Sequence, residues 1–172
     1  MSSLDTGKKE VCEWIRANFP HGASCLDVGA CDGKWAQLLD GYLTIDAVEV
    51  FQKYVYRHNL MEKYRQVYIA DIRKFEYDNY DLIIFGDILE HMTVTEAQTV
   101  IRYAWNRCRD MLIAVPYMWE QGAIRHNPYE VHVQPDLTPE IFEKRYPGFE
   151  PIFQVDNYAY YTKGDITCSC PL

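Results

Sequence analysis

Short apolar runs alternate with segments of helical periodicity along most of this 172-residue chain. The apolar runs predict successive strands at residues 24–28, 43–50, 66–70, 81–85 and 111–115. Residues 82–85 are apolar without interruption, which is typical of a central strand that is buried on both faces. Strands that alternate with helices form a parallel sheet with crossover helices. The pattern therefore predicts a doubly wound α/β fold with a mostly parallel sheet.

The segments outside these strands carry helix signals. Residues 8–18 and residues 52–63 have helical periodicity, and we expect one helix in each. Thr93 followed by Glu96 matches the capping box and predicts that a helix begins there. A further helix is expected to begin at Pro139, because proline is favoured at the first helical position.

The C-terminal part of the chain contains two more features. A loop at about 117–135 is long enough to suggest a lid over a binding site. Two β-rich runs within about 151–162 predict a C-terminal antiparallel hairpin. No repeat or linker-like stretch divides the chain, so we expect a single domain over residues 1–172.

The composition limits the classes of function. A net charge of −8 argues against broad nucleic-acid binding, which depends on neutralising phosphates. No apolar run approaches the roughly 18 residues of a membrane span, and residues 1–9 do not resemble a signal peptide. We therefore expect a cytoplasmic protein without a membrane partner. The cysteine spacings match no zinc signature, so no metal site is predicted, and Cys168 and Cys170 are expected to be free thiols.

The strongest functional signal follows the first predicted strand. Residues 25–33 read CLDVGACDG, in which Gly29 and Gly33 allow a sharp turn between a strand and a helix. Ligands of open α/β sheets bind beyond the carboxyl ends of the strands, where the strand order reverses. Glu49 ends the second strand, where a carboxylate can accept hydrogen bonds from both hydroxyls of a ribose. The alternative is a tight structural turn and a solvated glutamate.

A nicotinamide dinucleotide is the competing ligand for such a turn. Its binding loop requires glycines in the pattern G-x-G-x-x-G, which brings the pyrophosphate close to the helix N-terminus. Counted from Gly29, the second and third glycine positions hold Cys31 and Lys34. The spacing therefore disfavours this ligand.

The segment resembles the first motif of the class I methyltransferases that use S-adenosyl-L-methionine (SAM). That motif is an acidic residue followed by G-x-G-x-G, and Cys31 here replaces the middle glycine. The resemblance covers about residues 23–116 and includes the ends of the second, third and fourth strands. It implies a Rossmann-like methyltransferase fold, SAM as cofactor, and the following cofactor-binding residues: Asp27, Gly29, Ala30, Gly33, Glu49, Val50, Asp71, Ile72 and Asp87.

The resemblance also suggests roles for individual residues. Gly29 would face the methionine part of SAM, Glu49 the ribose hydroxyls, and Asp71 the exocyclic amine of adenine. Asp71 could instead cap a helix. Asp87 and His91 are the candidate catalytic residues, because the family places this segment beside the transferred methyl group. His91 could be a general base with a pKa near neutrality, a substrate contact or a structural histidine.

The acceptor of the methyl group is expected to be a small molecule. The Asn/Asp-Pro-Pro-aromatic motif of enzymes that methylate exocyclic amines of DNA is replaced here by residues 86–89, which read GDIL. No separate substrate domain is evident, although a partner protein could supply recognition. Two other functions stay open: a catalytically degenerate binding subunit with the same fold, and a nucleotide-binding enzyme of different chemistry.

Overall fold

A computed structural model describes residues 5–124 and 126–163 of the chain. Cys168 and Cys170 lie outside the described residues. The strands are β1 (Ser24–Val28), β2 (Thr44–Glu49), β3 (Gln66–Ile69), β4 (Tyr80–Gly86), β5 (Cys108–Pro116), β6 (Phe149–Val155) and β7 (Tyr158–Lys163). The helices are α1 (Lys8–Asn18), α2 (Lys34–Leu38), α3 (Gln52–Arg57), α4 (Leu60–Lys63), α5 (Val94–Trp105) and α6 (Pro139–Arg145). None of these helices has the length and apolar character needed to span a membrane.

The strands form one sheet in the order β3-β2-β1-β4-β5-β7-β6. Strands β1 to β5 pair in parallel, whereas β7 is antiparallel to both β5 and β6. The predicted doubly wound, mostly parallel sheet with a C-terminal antiparallel hairpin is therefore confirmed. The strand order reverses between β1 and β4, so a crevice is expected at the carboxyl ends of these strands.

The sheet is buried on both faces. Leu82 and Ile84 of β4 belong to one core cluster, which includes Val11 and Ile15 of α1. Ile83 and Phe85 belong to the cluster on the opposite face, which includes residues of α5 and α6. This division follows from the two-residue period of a strand. The continuous apolar run of β4 is thus explained by burial on both faces.

Two helix starts were predicted correctly, and one helix was predicted wrongly. The capping box is present: the Glu96 N–H donates to Thr93 Oγ1 over 3.3 Å, and the Thr93 N–H donates to Glu96 Oε2 over 2.9 Å. The helix after Thr138 begins at Pro139 as expected. The prediction of a single helix over residues 52–63 was wrong, because the structure has two helices, α3 and α4, in this segment. It is interrupted at Asn59, which has a φ of 51° and cannot continue a right-handed helix.

Candidate functional site

The carboxyl ends of β1, β2 and β4 open onto a crevice that consists of two adjoining cavities. The first cavity is lined by these predicted residues: Asp27, Gly29, Ala30, Glu49, Val50, Asp87 and His91. The second cavity is lined by Asp71 and Ile72. Ile88, His91 and Tyr129 line both cavities. Gly33 lines neither cavity and instead precedes α2 as its N-cap.

The loop after β1 depends on a left-handed backbone and on the absence of a side chain. Gly29 has a φ of 73°, and a Cβ atom there would overlap Ile88 Cδ1. Only glycine leaves this part of the crevice open. Cys31 has a φ of 48°, a conformation that glycine adopts more readily than other residues. The methyltransferase motif has its middle glycine at this position, and the left-handed backbone explains that preference. Cys31 adopts the same backbone conformation despite its side chain.

Glu49 connects the end of β2 to this loop. Its side chain is 5% exposed. Oε2 accepts a hydrogen bond from the Cys31 N–H over 3.0 Å, and Oε1 accepts one from the Phe51 N–H over 2.8 Å. Burial raises the pKa of Glu49, and these two backbone donors oppose that rise. The carboxylate is thus fixed in orientation at the wall of the first cavity, while each oxygen keeps a further lone pair for a ligand.

Asp27 lies behind the loop and is 2% exposed. It accepts a hydrogen bond of 2.5 Å from the Tyr64 hydroxyl. Burial raises the pKa of Asp27 to about 7, although the Tyr64 bond and the nearby Lys8 oppose that rise. Lys8 is itself buried, with its Nζ 3.8 Å from the centre of the Trp35 ring. The sequence did not identify Lys8, because it begins an amphipathic helix and looks like an ordinary surface lysine.

Asp71 lies in the second cavity but already has a partner. Its two oxygens accept hydrogen bonds from Arg73 Nε, over 2.9 Å, and Nη2, over 2.6 Å. Oδ1 also accepts from the Arg73 N–H over 3.0 Å, so Asp71 caps the short 3-10 turn Ile72–Lys74. These bonds with Arg73 lower the pKa of Asp71. The capping alternative is therefore observed, and the role in adenine recognition stays a prediction.

Asp87 directly follows β4 and has a left-handed backbone, with a φ of 57°. Its Oδ1 accepts a hydrogen bond of 2.6 Å from the hydroxyl of Tyr158, which lies 71 residues away on β7. Tyr158 was missed by the sequence analysis, since nothing in its neighbourhood predicts which strand β7 will join. The C-terminal hairpin therefore supplies a contact to a candidate catalytic residue.

His91 lies on the 3-10 turn Leu89–His91 at the boundary of the two cavities. Its Nδ1 lies 3.1 Å from the Val131 carbonyl oxygen. Burial lowers the pKa of His91 to about 4, and the adjacent His132 lowers it further. The ring is therefore neutral at pH 7, which differs from the titration near neutrality expected from the sequence. The catalytic role of His91 stays a prediction.

The loop at 117–135 contributes to the crevice through Asn127, Tyr129 and Glu130. Glu130 is 6% exposed, and its Oε1 accepts a hydrogen bond of 2.9 Å from the Tyr54 hydroxyl on α3. Neither Glu130 nor the fully buried Glu90 was assigned a role from the sequence. For Glu90 there was a signal: a carboxylate directly after the apolar Ile88 and Leu89, four residues beyond the end of β4.

Comparisons with known proteins come from structure alone, since no family model and no curated protein sequence matches the chain. A SAM-dependent methyltransferase from Clostridium acetobutylicum ATCC 824 has a TM-score of 0.70 at 11% identity, over 92% of this chain and 91% of that one. Magnesium protoporphyrin IX methyltransferase from Synechocystis PCC 6803, with bound SAM, has a TM-score of 0.62 at 14% identity, over 91% and 78%.

A third similar structure is 1,6-didemethyltoxoflavin-N1-methyltransferase from Burkholderia thailandensis, with bound 1,6-didemethyltoxoflavin and S-adenosylhomocysteine. Its TM-score is 0.63 at 15% identity, over 92% of this chain and 78% of that one. At such identities the similarity concerns the fold. This chain has the Rossmann-like fold of the class I SAM-dependent methyltransferases.

Proposed function

We propose that this chain is a methyltransferase that binds SAM and methylates a small-molecule acceptor. The observation that carries the proposal is the buried Glu49 carboxylate, which Cys31 and Phe51 hold at the wall of the crevice. It stands beside a loop kept open by Gly29, at the point where the strand order reverses. A ribose hydroxyl pair is the group that such a carboxylate suits. Solved structures of the same fold hold SAM or its demethylated product.

The two cavities fit the two parts of the cofactor. The first cavity would take the methionine part beside Gly29 and the ribose beside Glu49. The second cavity is lined by Val50, Ile72 and other apolar residues, which suits the adenine ring. The Burkholderia enzyme is crystallised with a small-molecule acceptor, and this chain covers most of its length. This supports a small acceptor for the present chain.

SAM, when bound, supplies a methyl group on a positively charged sulfur. Glu49 and Asp87 line the first cavity with carboxylates, which favour a cationic ligand where water is scarce. Ile88 and Tyr129 line both cavities and offer apolar surface to a bound ligand. The main task of these residues is to align the reacting groups. We assign acceptor binding or proton transfer to Asp87 and His91, the candidate catalytic pair.

Binding of S-adenosylhomocysteine, the demethylated product, is the first test. We expect it to stabilise the protein, because a ligand that binds only the folded state does so, by about 2.7 kcal/mol at a hundredfold excess over Kd. Differential scanning fluorimetry with S-adenosylhomocysteine and NAD in parallel measures the rise in melting temperature. A rise with NAD and none with S-adenosylhomocysteine would overturn the proposal and favour the nucleotide-binding alternative.

Replacing Glu49 tests how the cofactor is held. Glu49→Ala is expected to weaken binding of S-adenosylhomocysteine about tenfold or more, since hydrogen bonds to a charged group contribute about 1.5–3 kcal/mol each. Isothermal titration calorimetry measures the loss. Glu143→Ala, at an exposed glutamate of α6, is the matched control and should bind normally. Equal affinities for the two variants would remove Glu49 from the cofactor site.

The finer features of this function stay predictions. They are a small molecule as the acceptor, recognition without nucleic acid, a partner protein as the other source of recognition, and a cytoplasmic location. Catalytic turnover, as opposed to binding alone, requires an assay with an acceptor and labelled SAM. Transfer of the label would exclude the degenerate binding subunit.

A further inference from the structure

Glu90 is the least expected residue of the crevice region. It follows β4 on the turn Leu89–His91 and is 0% exposed. Within residues 5–124 and 126–163, neither of its carboxylate oxygens has a hydrogen-bonding partner. Buried carboxylates in folded proteins are almost always hydrogen-bonded, paired with a cation or bound to a metal. An isolated one at this depth therefore calls for a ligand.

Two imidazole rings lie beside this carboxylate. The ring centres of His91 and His132 are 4.8 Å apart. His91 Nδ1 lies 3.1 Å from the Val131 carbonyl oxygen, and His132 Nδ1 lies 2.7 Å from the Trp119 carbonyl oxygen. A carbonyl oxygen can only accept, so Nδ1 of each ring carries the proton and Nε2 carries the lone pair. Histidines that bind metals are oriented by this kind of hydrogen bond from the second ring nitrogen.

The backbone holds these three residues in place. The Glu90 carbonyl oxygen accepts hydrogen bonds from the N–H groups of Val133, over 2.7 Å, and Gln134, over 3.0 Å. The side-chain amide of Gln134 donates to the Leu89 carbonyl oxygen over 2.9 Å. The turn that carries Glu90 and His91 is therefore tied to the segment that carries His132. Such support from surrounding hydrogen bonds is what a preorganised site requires.

We propose that Glu90, His91 and His132 bind one divalent first-row transition metal ion. One ligand atom from each residue can be chosen so that all lie within 4.8 Å of one another. Metal bonds of 2.0–2.2 Å place tetrahedral ligand atoms roughly 3.4 Å apart, so small side-chain rotations complete the site. Two imidazoles and one carboxylate suit Zn²⁺, Mn²⁺ or Fe²⁺ better than Mg²⁺ or Ca²⁺, which prefer oxygen ligands.

The surrounding charges favour a cation at this position. Asp87 and Glu130 both interact unfavourably with a negative charge on Glu90. The same two carboxylates interact favourably with a positive charge at His132. A divalent cation would offset the repulsion among these acidic groups. His91 also lines both cavities, so a bound ion would make it a metal ligand at the wall of the crevice and would leave proton transfer to Asp87.

Metal binding is tested on the full chain without any cofactor, so the result does not depend on the proposed function. The protein is treated with a chelator, dialysed, and titrated with Zn²⁺ and, separately, with Mn²⁺ by calorimetry. We expect one equivalent to bind, and His132→Asn to weaken that binding at least tenfold. His126→Asn is the matched control, because His126 is an exposed histidine of the same loop and asparagine tolerates its positive φ.

Nuclear magnetic resonance gives a second readout that thiol binding cannot imitate. Of the five histidines, the ring protons of His91 and His132 should shift or broaden with the metal. Glu90→Gln should also weaken binding, and circular dichroism checks that each variant is folded. Two results would overturn the proposal: no binding of either ion to the wild type, or equal binding to the wild type and to folded His132→Asn. Loss in His132→Asn with retention in His126→Asn supports it.

Discussion

Replacing Asp27 by asparagine is expected to stabilise the folded protein at pH 8, by up to about 4 kcal/mol. The pKa of Asp27 rises from its ordinary value of 3.8 to about 7 on folding, chiefly through burial. Each unit of difference in pKa between the folded and unfolded states corresponds to about 1.36 kcal/mol. The uncharged side chain of asparagine avoids the cost of a buried charge. Its amide N–H₂ needs buried partners of its own, so 4 kcal/mol is the upper limit of the gain.

The pH window follows from the direction of the shift. Between pH 4 and pH 7 the folded protein keeps the Asp27 proton, whereas the unfolded chain has lost it. The contribution of Asp27 to stability is therefore fully present below pH 3.8 and is lost as the pH rises through about 7. Tyr64 and Lys8 favour the charged form of this carboxyl, while Glu49 and Asp32 disfavour it.

Urea unfolding of the wild type and Asp27→Asn, at half-unit steps from pH 4.5 to pH 8.5, measures this contribution. The difference between the two free energies of unfolding should grow with pH up to about pH 7 and then level off. Asp78→Asn removes an exposed carboxyl and is the control for the change in net charge. Parallel profiles for the wild type and Asp27→Asn would mean that Asp27 is already ionised at pH 4.5.

Gly29→Ala is expected to lower both stability and cofactor binding. A left-handed backbone costs an alanine about 1–2 kcal/mol relative to glycine. In addition, the new Cβ would overlap Ile88 Cδ1, and Ile88 lines both cavities. Overpacking of this kind costs about 1–3 kcal/mol. We expect this overlap to disfavour the bound state by the same amount, so binding of S-adenosylhomocysteine should weaken roughly tenfold to a hundredfold.

Two companion variants separate the backbone effect from the collision. Gly22 has a φ of 84°, and a Cβ atom added there would meet no other atom within 4 Å, so Gly22→Ala carries the backbone cost alone. It should lower the free energy of unfolding by about 1–2 kcal/mol without changing the affinity for S-adenosylhomocysteine. Adding Ile88→Ala to Gly29→Ala removes the colliding methyl groups and should restore part of the affinity. Unchanged binding by Gly29→Ala would show that the ligand does not approach this loop.

Much of the fold was predictable because its causes are local. The uninterrupted apolar residues of β4 reflect burial on both faces, and the capping box at Thr93 and Glu96 is a pattern of four residues. Asn59 was missed because asparagine tolerates both helical and left-handed backbone, and only packing decides between them. Element types thus followed from the sequence, whereas one helix boundary did not.

The candidate site was predictable where it follows the ends of strands. Glu49 was located because a carboxylate at the end of β2 has a position defined by the sheet. The contact of Asp87 with Tyr158 and the proximity of His91 to His132 depend on how the hairpin and the loop return to the crevice. Such contacts between distant parts of the chain produce no recognisable pattern of residue spacing in the sequence. The resemblance to methyltransferases therefore indicated where the site lies but did not identify all of its residues.

The position of β7 between β5 and β6 has a consequence for biosynthesis. β5 is synthesised well before β7, and until β7 emerges from the ribosome one edge of β5 has no strand to pair with. That edge belongs to a strand whose residues 111–116 are buried in the finished protein, and exposed edges of this kind promote aggregation. Tyr158 reaches Asp87 only when the same strand has inserted. The insertion of β7 therefore covers this edge of β5 and brings Tyr158 to the crevice in the same late step.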